Sequence, residues 1–316
     1  MIKPFILGIT ASFFFAFTFL FNHQMNITGD SWYWSSSLRF LLMLPILFLI
    51  LAIRRELSDV IRDIRKKPIS WLIWSTVGFG IFYAPLCFAS TYGASWLVAA
   101  TWQITIIAGA LMTPLFYTEK EAEEGIHRIR HKIPIKSLAI SSLILLGIFV
   151  IQFEEAKKIT DRNMLAGVVP VIIAAFAYPL GNRKMIEVCS KKLNTIQRVF
   201  GMTLCSMPFW IVISVCGLCR TGIPGGGQII QSFVVAVFAG IIATLLFFKA
   251  TDLVSHDVSK LAVIESTQSG EVIFTLLGGI FIFHDRIPTI IGFLGILIVV
   301  AGMILNNLFQ TKSSIE

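Results

Sequence analysis

The run Trp32-Tyr33-Trp34-Ser35-Ser36-Ser37-Leu38-Arg39-Phe40-Leu41-Leu42-Met43-Leu44-Pro45-Ile46-Leu47-Phe48-Leu49-Ile50-Leu51-Ala52-Ile53, closed by Arg54-Arg55, holds one charge, Arg39, in the 22 residues from 32 to 53. As a helix rising 1.5 Å per residue it spans about 33 Å, enough to cross roughly 30 Å of hydrocarbon, and the arginine pair then marks a polar interface. Nine further apolar runs of similar length lie at 4 to 21, 71 to 90, 94 to 117, 135 to 152, 164 to 181, 199 to 218, 229 to 248, 261 to 283 and 287 to 309. Span length and the lack of alternating ten-residue strands argue against a barrel, and in lipid each backbone N–H must be paired within its own segment. The chain therefore reads as an all-α membrane protein with ten transmembrane helices. Composition agrees: 56% of the 316 residues are hydrophobic and only 14% charged, with 27 Phe and 7 Trp, where a soluble domain carries roughly 25% charge.

The net charge of +8 is spread over short loops rather than gathered on one face, which argues against nucleic-acid binding. With the N-terminus in the cytoplasm, Lys plus Arg number 20 inside and 5 outside, the twenty-sixth being Arg39. That bias predicts both termini on the cytoplasmic side. The largest inside groups follow span 2 (Arg54, Arg55, Arg62, Arg65, Lys66, Lys67) and span 4 (Lys120, Arg128, Arg130, Lys132, Lys136), while Lys157, Lys158 and Arg162 fall outside. The first span runs into Asn22-His23-Gln24 without a small-residue cleavage site and is read as a helix rather than a signal peptide. No loop exceeds about 17 residues, too few for a nucleotide-binding or soluble catalytic module.

The two halves resemble each other at an offset near 160. Ala16-Phe17-Thr18-Phe19-Leu20-Phe21-Asn22 with Met25 matches Ala175-Phe176-Ala177-Tyr178-Pro179-Leu180-Gly181-Asn182 with Met185; Arg39 and Phe40 fall opposite Arg198 and Phe200, Leu86, Phe88 and Thr91 opposite Leu246, Phe248 and Thr251, and Gln103 opposite Gln268. Five helices per half is an odd number, so the second copy enters the membrane inverted. A 5+5 inverted-topology repeat, residues 1–157 and 158–316 within one integrated membrane domain, is a common architecture of secondary transporters.

On these residues the chain resembles the drug/metabolite transporter superfamily, and within it the putative multidrug resistance efflux transporter family of ten-helix, EamA-like carriers. The resemblance covers nearly the whole chain and is most specific at Trp102-Gln103, Tyr178-Pro179-Leu180-Gly181-Asn182, Gln197-Arg198 with Gly201-Met202, Pro208-Phe209-Trp210, Ala243-Thr244 with Phe247-Phe248-Lys249-Ala250-Thr251, and Glu265 with Thr267-Gln268 and Glu271. It implies a central cavity built largely by helices 1, 3, 4, 6, 8 and 9 and export of small molecules. Two departures stand out. The four-helix small multidrug resistance relatives carry their essential glutamate in the first helix, where this chain has no carboxylate, so Glu271 is assigned from its own position alone. EamA-type carriers often have a proline near the start of helices 4 and 9, a neighbourhood held here by Gln103 and Ser269.

Charged groups within spans are expensive and point to function. Glu265, Gln268 and Glu271 follow at steps of three on one stripe of span 9, with Glu271 near mid-membrane and Glu265 nearer the cytoplasmic mouth, where it is expected to be hydrated. Glu271 reads as the group that binds a proton or a cationic substrate in turn, or else as a structural acid, protonated or paired with an arginine. Gln103 and Gln268 flank a substrate from opposite halves or bond between helices, and Trp102 offers a face to a cation or ring. Tyr178 and Tyr83 are candidate cavity walls. Arg39, expected to snorkel outward or pair with an acid, and Arg198 and Lys249, expected at the cytoplasmic boundary, read as structural or gating residues. Gly292, Gly295 and Gly302 form a packing stripe, and Cys216 and Cys219 stand at an outer helix end where a disulfide is an open alternative. The five histidines all fall in or beside loops, without metal-ligand spacing.

The expectation is a proton-coupled exporter of small organic molecules, cationic or lipophilic drugs first. The alternatives are a metabolite exporter or exchanger for amino acids or nucleotide-like compounds and, from another class, a membrane-embedded lipid-modifying enzyme. No cofactor is expected beyond the proton gradient. The expected partners are the substrate and membrane lipid, with a homodimer as the candidate assembly, in a bacterial cytoplasmic membrane.

Overall fold

The structure is a computed structural model that describes residues 2–122, 125–130, 133, 135–156, 161–189, 192–255, 257–285 and 287–313. The apolar runs form helices: α1 (Ile2–Ile27), α2 (Trp32–Ile53), a short surface helix α3 (Leu57–Lys66), α4 (Pro68–Ala89), α5 (Ser95–Leu111), α6 (Ile135–Ala156), α7 (Asp161–Cys189), α8 (Thr195–Thr221), α9 (Gly226–Asp252), α10 (Val258–Ser266), α11 (Gly270–Ile282) and α12 (Ile290–Ser313). Among the described residues six helices are long and apolar enough to cross a membrane: α1, α2, α4, α7 from Leu165, α8 and α9. Ser95–Leu111, Ser142–Ile151 and Ile290–Gly302 are shorter apolar helices. The expected loop after span 4 instead contains a hairpin, β1 (Tyr117–Ala122) paired antiparallel with β2 (Gly125–Arg130), so α5 stops at Leu111 rather than continuing to 117. Lys157 and Lys158, and with them the boundary between the two halves, lie outside the described residues, as do His131, Lys132, His256 and Arg286.

Charged and amide side chains are buried among an apolar core, while large apolar side chains face outward. Arg39, Gln103, Gln197, Arg198, Gln268 and Glu271 are buried, while Phe48, Leu49, Phe149, Ile211, Val212 and Phe281 are exposed. Water would favour the reverse; hydrocarbon around the protein favours this arrangement, because polar groups find partners only inside. The chain is an integral membrane protein.

Packing pairs the helices across the chain. α1 lies along α9 and α11, and α7 along α4 and α5; α2 meets α8, and α6 meets α12. The α2–α8 seam is aromatic, with Phe40 stacked on Trp210 at 4.4 Å. The α6–α12 seam is made by small residues: a side chain at Gly147 would meet the Gly295 carbonyl at 2.7 Å, and one at Gly302 would meet Ile144. Gly295 and Gly302 of the sequence stripe thus serve close helix contact. α4 and α7 approach most closely where Gly78 lies on Gly181, with backbone against backbone.

Two helices carry a π-helical segment, Thr76–Ile81 in α4 and Ala236–Ala243 in α9. Pro85 accounts for the first, since it has no N–H to offer the Ile81 carbonyl one turn back. In the second, side chains enter the backbone ladder: Thr244 Oγ1 donates to the Ala239 carbonyl at 3.1 Å and Arg39 Nη2 donates to the same oxygen at 3.1 Å. Two further breaks fall in the middle of membrane segments, at Gln103 within α5 and at the 3-10 turn Thr267–Ser269 between α10 and α11.

Candidate functional site

The break at Thr267–Ser269 directs the first turn of α11 inward, which puts Glu271 at a small central cavity with only 2% of the residue exposed. Thr18 and Phe19 of α1, Arg39 of α2, Phe82 of α4, Trp102 of α5 and Tyr178 of α7 line the same cavity. Trp102, Tyr178, Gln268 and Glu271, chosen from sequence, are therefore brought together.

Arg39 neither snorkels nor pairs with an acid. It is 3% exposed, donates from Nη1 to Thr18 Oγ1 at 3.3 Å and from Nη2 to the Ala239 carbonyl, and rests over the Tyr83 ring at 4.2 Å. Packing of α2 between α8 and the π segment of α9 carries it too deep to reach an interface. Tyr83 supports Arg39 rather than lining the cavity, and its hydroxyl accepts from Asn22 Nδ2 at 3.1 Å.

Tyr178 and Gln268 form the constriction on one side. Gln268 Nε2 donates to Tyr178 Oη at 3.3 Å, and the tyrosine ring lies 4.6 Å from Phe82 and 5.6 Å from Trp102. These two residues also line a second small cavity, bordered by Arg183 and Glu265. That space shares Ile186 and Arg198 with an open vestibule of about 1280 Å³ holding Arg54, Lys249 and Asp252. A line of cavities thus runs from Glu271 to the basic face of the protein.

Glu265 is held, not hydrated. Arg183 donates from Nε to Oε1 at 3.0 Å and from Nη2 to Oε2 at 2.6 Å, and from Nη1 to the Gly109 carbonyl at 2.9 Å. One guanidinium therefore ties α7, α10 and α5 together, with side chains only 10% and 16% exposed. Arg183 falls between the expected spans ending at 181 and starting at 199 and is not a candidate there; its place right after the Tyr178–Asn182 motif is the available signal, and the helix continues through it to Cys189. Arg198 is buried too, bonded to Asp252 at 2.7 Å and over the Phe248 ring at 4.7 Å, whereas Lys249 is exposed at the vestibule. Gln103 stands apart from the cavity, its Nε2 donating to the Ala99 carbonyl of its own helix at 3.0 Å.

On the opposite side the space between α1, α5 and α11 is filled. Ser95 Oγ donates to Asp285 Oδ2, His23 Nε2 lies 3.6 Å from Asp285 Oδ1, and the Phe21 and Phe283 rings meet edge to face at 5.3 Å. His23 belongs to α1 rather than to a loop, because that helix runs to Ile27.

The model of the EmrE family, putative multidrug resistance efflux transporters, matches residues 2–312, and the chain belongs to that family and so to the drug/metabolite transporter superfamily. Among its relatives, the uncharacterized protein YjlA of Bacillus subtilis is 50% identical over 305 residues, spanning 96% of this chain and 94% of its own. An uncharacterized 42.1 kDa protein from the intracellular alkaline protease 3′ region of Shouchella clausii is 48% identical over 271 residues, spanning 86% of this chain and 70% of its own. A protein of known crystal structure superposes with a TM-score of 0.67 over 98% of both chains at 10% identity, a likeness of fold alone.

Proposed function

We propose that this member of the efflux transporter family is a secondary transporter that exports small organic molecules, with cationic or lipophilic compounds the first to test, by proton-coupled alternating access. In this reading the chain makes ten membrane crossings as two inverted halves, 1–157 and 158–316. Three observations support it. The packing of α1 on α9 and α11 is mirrored by that of α7 on α4 and α5, while α2–α8 and α6–α12 join equivalent helices. The π segments begin at Thr76 and Ala236, an offset of 236 − 76 = 160. The mid-membrane breaks fall at Gln103 and around Gln268, the two glutamines that match in the sequence.

The basic face is then cytoplasmic and the protein sits in a bacterial cytoplasmic membrane. The open vestibule on the basic face supports reading that side as the inward-facing one, with the Ser95–Asp285–His23 cluster as the outer closure. In the cycle, Glu271 loses its proton inward and takes the cationic group of the substrate. After the halves exchange conformations a proton from outside displaces that group. The observation that carries the reading is a buried carboxylate at a small central cavity, with no hydrogen-bond or ion-pair partner among the described residues. A buried acid without a partner favours a proton or a ligand cation beside it.

The test is uptake of a lipophilic cation into inside-out vesicles under an imposed pH gradient, wild type beside Glu271→Gln. Gradient-driven uptake that disappears in the variant is expected. Equal uptake by both proteins would remove Glu271 from the mechanism.

A further inference from the structure

Four helix ends meet around the open vestibule on the basic face: α2 ends at Ile53, α7 at Cys189 and α9 at Asp252, and α8 begins at Thr195. Arg54 beside α2, Arg198 of α8 and Lys249 of α9 bring three cations to it against one lining carboxylate, Asp252. That carboxylate is already engaged, by Arg198 Nη1 at 2.7 Å and by Thr195 Oγ1 at 2.8 Å. Glu56, close to Arg54 in the chain, accepts from Asn194 Nδ2 at 2.9 Å. Arg54 and Lys249 are exposed and have no ion-pair or side-chain hydrogen-bond partner among the described residues, and Arg198 Nε is buried without one. Asn194, Thr195 and Ile196 put the positive end of the α8 dipole on the same space. The rest of the wall is largely aliphatic: Ile186, Leu193, Ile196 and Leu245.

We infer that the vestibule is a binding site for an anionic phospholipid of the facing leaflet, its phosphate held by Arg54 and Lys249 and its glycerol and upper acyl chains against the aliphatic wall. Basic pockets between helices at a membrane interface are where acidic headgroups bind. A zwitterionic headgroup would bring its own ammonium against Arg54 and Lys249, and a free phosphate would leave the aliphatic wall in water. A phosphodiester with one net charge and two chains meets both halves of the lining. The site goes beyond the transport reading and does not depend on which molecule is carried. Under that reading it also acts at the inner mouth, where a bound headgroup cancels the positive field that Arg54 and Lys249 set against cationic compounds.

The full-length protein, delipidated in detergent, is titrated with phosphatidylglycerol or with phosphatidylcholine of the same chains, and bound lipid is counted by native mass spectrometry. Each cation favours an acidic headgroup about fivefold, so wild type should prefer phosphatidylglycerol by about thirtyfold. Arg54→Gln with Lys249→Gln should bind the two lipids alike, and Arg54→Lys with Lys249→Arg should keep most of the preference. Arg65→Gln with Lys66→Gln, an equal loss of charge on exposed positions of α3 outside the vestibule, should keep all of it. Inorganic phosphate and glycerol 3-phosphate, each at the concentration of the lipid, should not displace it. Three results overturn the site. Equal binding of both lipids by wild type means that no anion is recognised, an equal loss in the α3 variant means that charge acts diffusely, and displacement by either free phosphate compound means that the ligand is soluble. The wild-type comparison needs no variant, so a misfolded one leaves the test intact. Gradient-driven uptake of a lipophilic cation by wild type decides the transport reading separately.

Discussion

Separating Arg183 from Glu265 is expected to be costly in one direction only. The pair is bidentate at 3.0 and 2.6 Å, with side chains 10% and 16% exposed, so solvent screens it little. Glu265→Leu leaves the guanidinium with its bond to the Gly109 carbonyl at 2.9 Å but no counter-charge. Orphaning one member of a buried pair costs about 3 kcal/mol, roughly a 150-fold change in the folding equilibrium. Arg183→Leu strands the carboxylate and should cost a similar amount. The double replacement Arg183→Leu with Glu265→Leu removes both charges and fills the space with apolar side chains. It should fall within about 1 kcal/mol of wild type, which makes the coupling several kcal/mol. The assay is reversible unfolding of the purified protein in mixed micelles of increasing SDS fraction, run as a complete double-mutant cycle. If the double variant loses the sum of the two single losses, the residues do not act as a pair and the α7–α10 tie is not what holds the inner end of the site.

Two other measurements address the packing and the sidedness. Gly181→Val drives a side chain into the backbone of Gly78 and should lower stability by about 1–3 kcal/mol; Gly225→Ala, with nothing within 4 Å of the new Cβ, should leave the melting temperature unchanged. Cys216 and Cys219 are exposed near the end of α8 whereas Cys87 and Cys189 are buried. A membrane-impermeant maleimide applied to intact cells should therefore label the wild type and spare Cys216→Ser with Cys219→Ser; labelling only after permeabilisation would reverse the assigned orientation.

Most of the helices could be read directly from the chain, because crossing a bilayer imposes a length and an apolarity that each segment meets by itself. The Glu265–Gln268–Glu271 stripe was legible for a related reason: a charge inside such a run is conspicuous whatever surrounds it. Where the expectation erred, the cause lay in a partner far along the chain. Arg39 looked like a snorkelling residue until the Ala239 carbonyl, 200 positions away, was found beneath it. Glu265 looked hydrated because it lies near the cytoplasmic mouth, and its partner Arg183, 82 positions away, lies beyond the expected span.

Asp285 and His23 likewise looked like loop residues, but the length of α1 and the approach of α5 fold them into the closure between α1, α5 and α11. Gln103 and Gln268 match in sequence, yet one bonds within its own helix and the other reaches Tyr178, since each side chain's surroundings depend on how neighbouring helices cross there. The sequence by itself determined which segments enter the membrane, since partitioning sums over residues that are neighbours in the chain. Only the tertiary structure decided which charges stay unpaired in the cavity, because that follows from close backbone approaches such as Gly78 on Gly181, set by packing between distant segments.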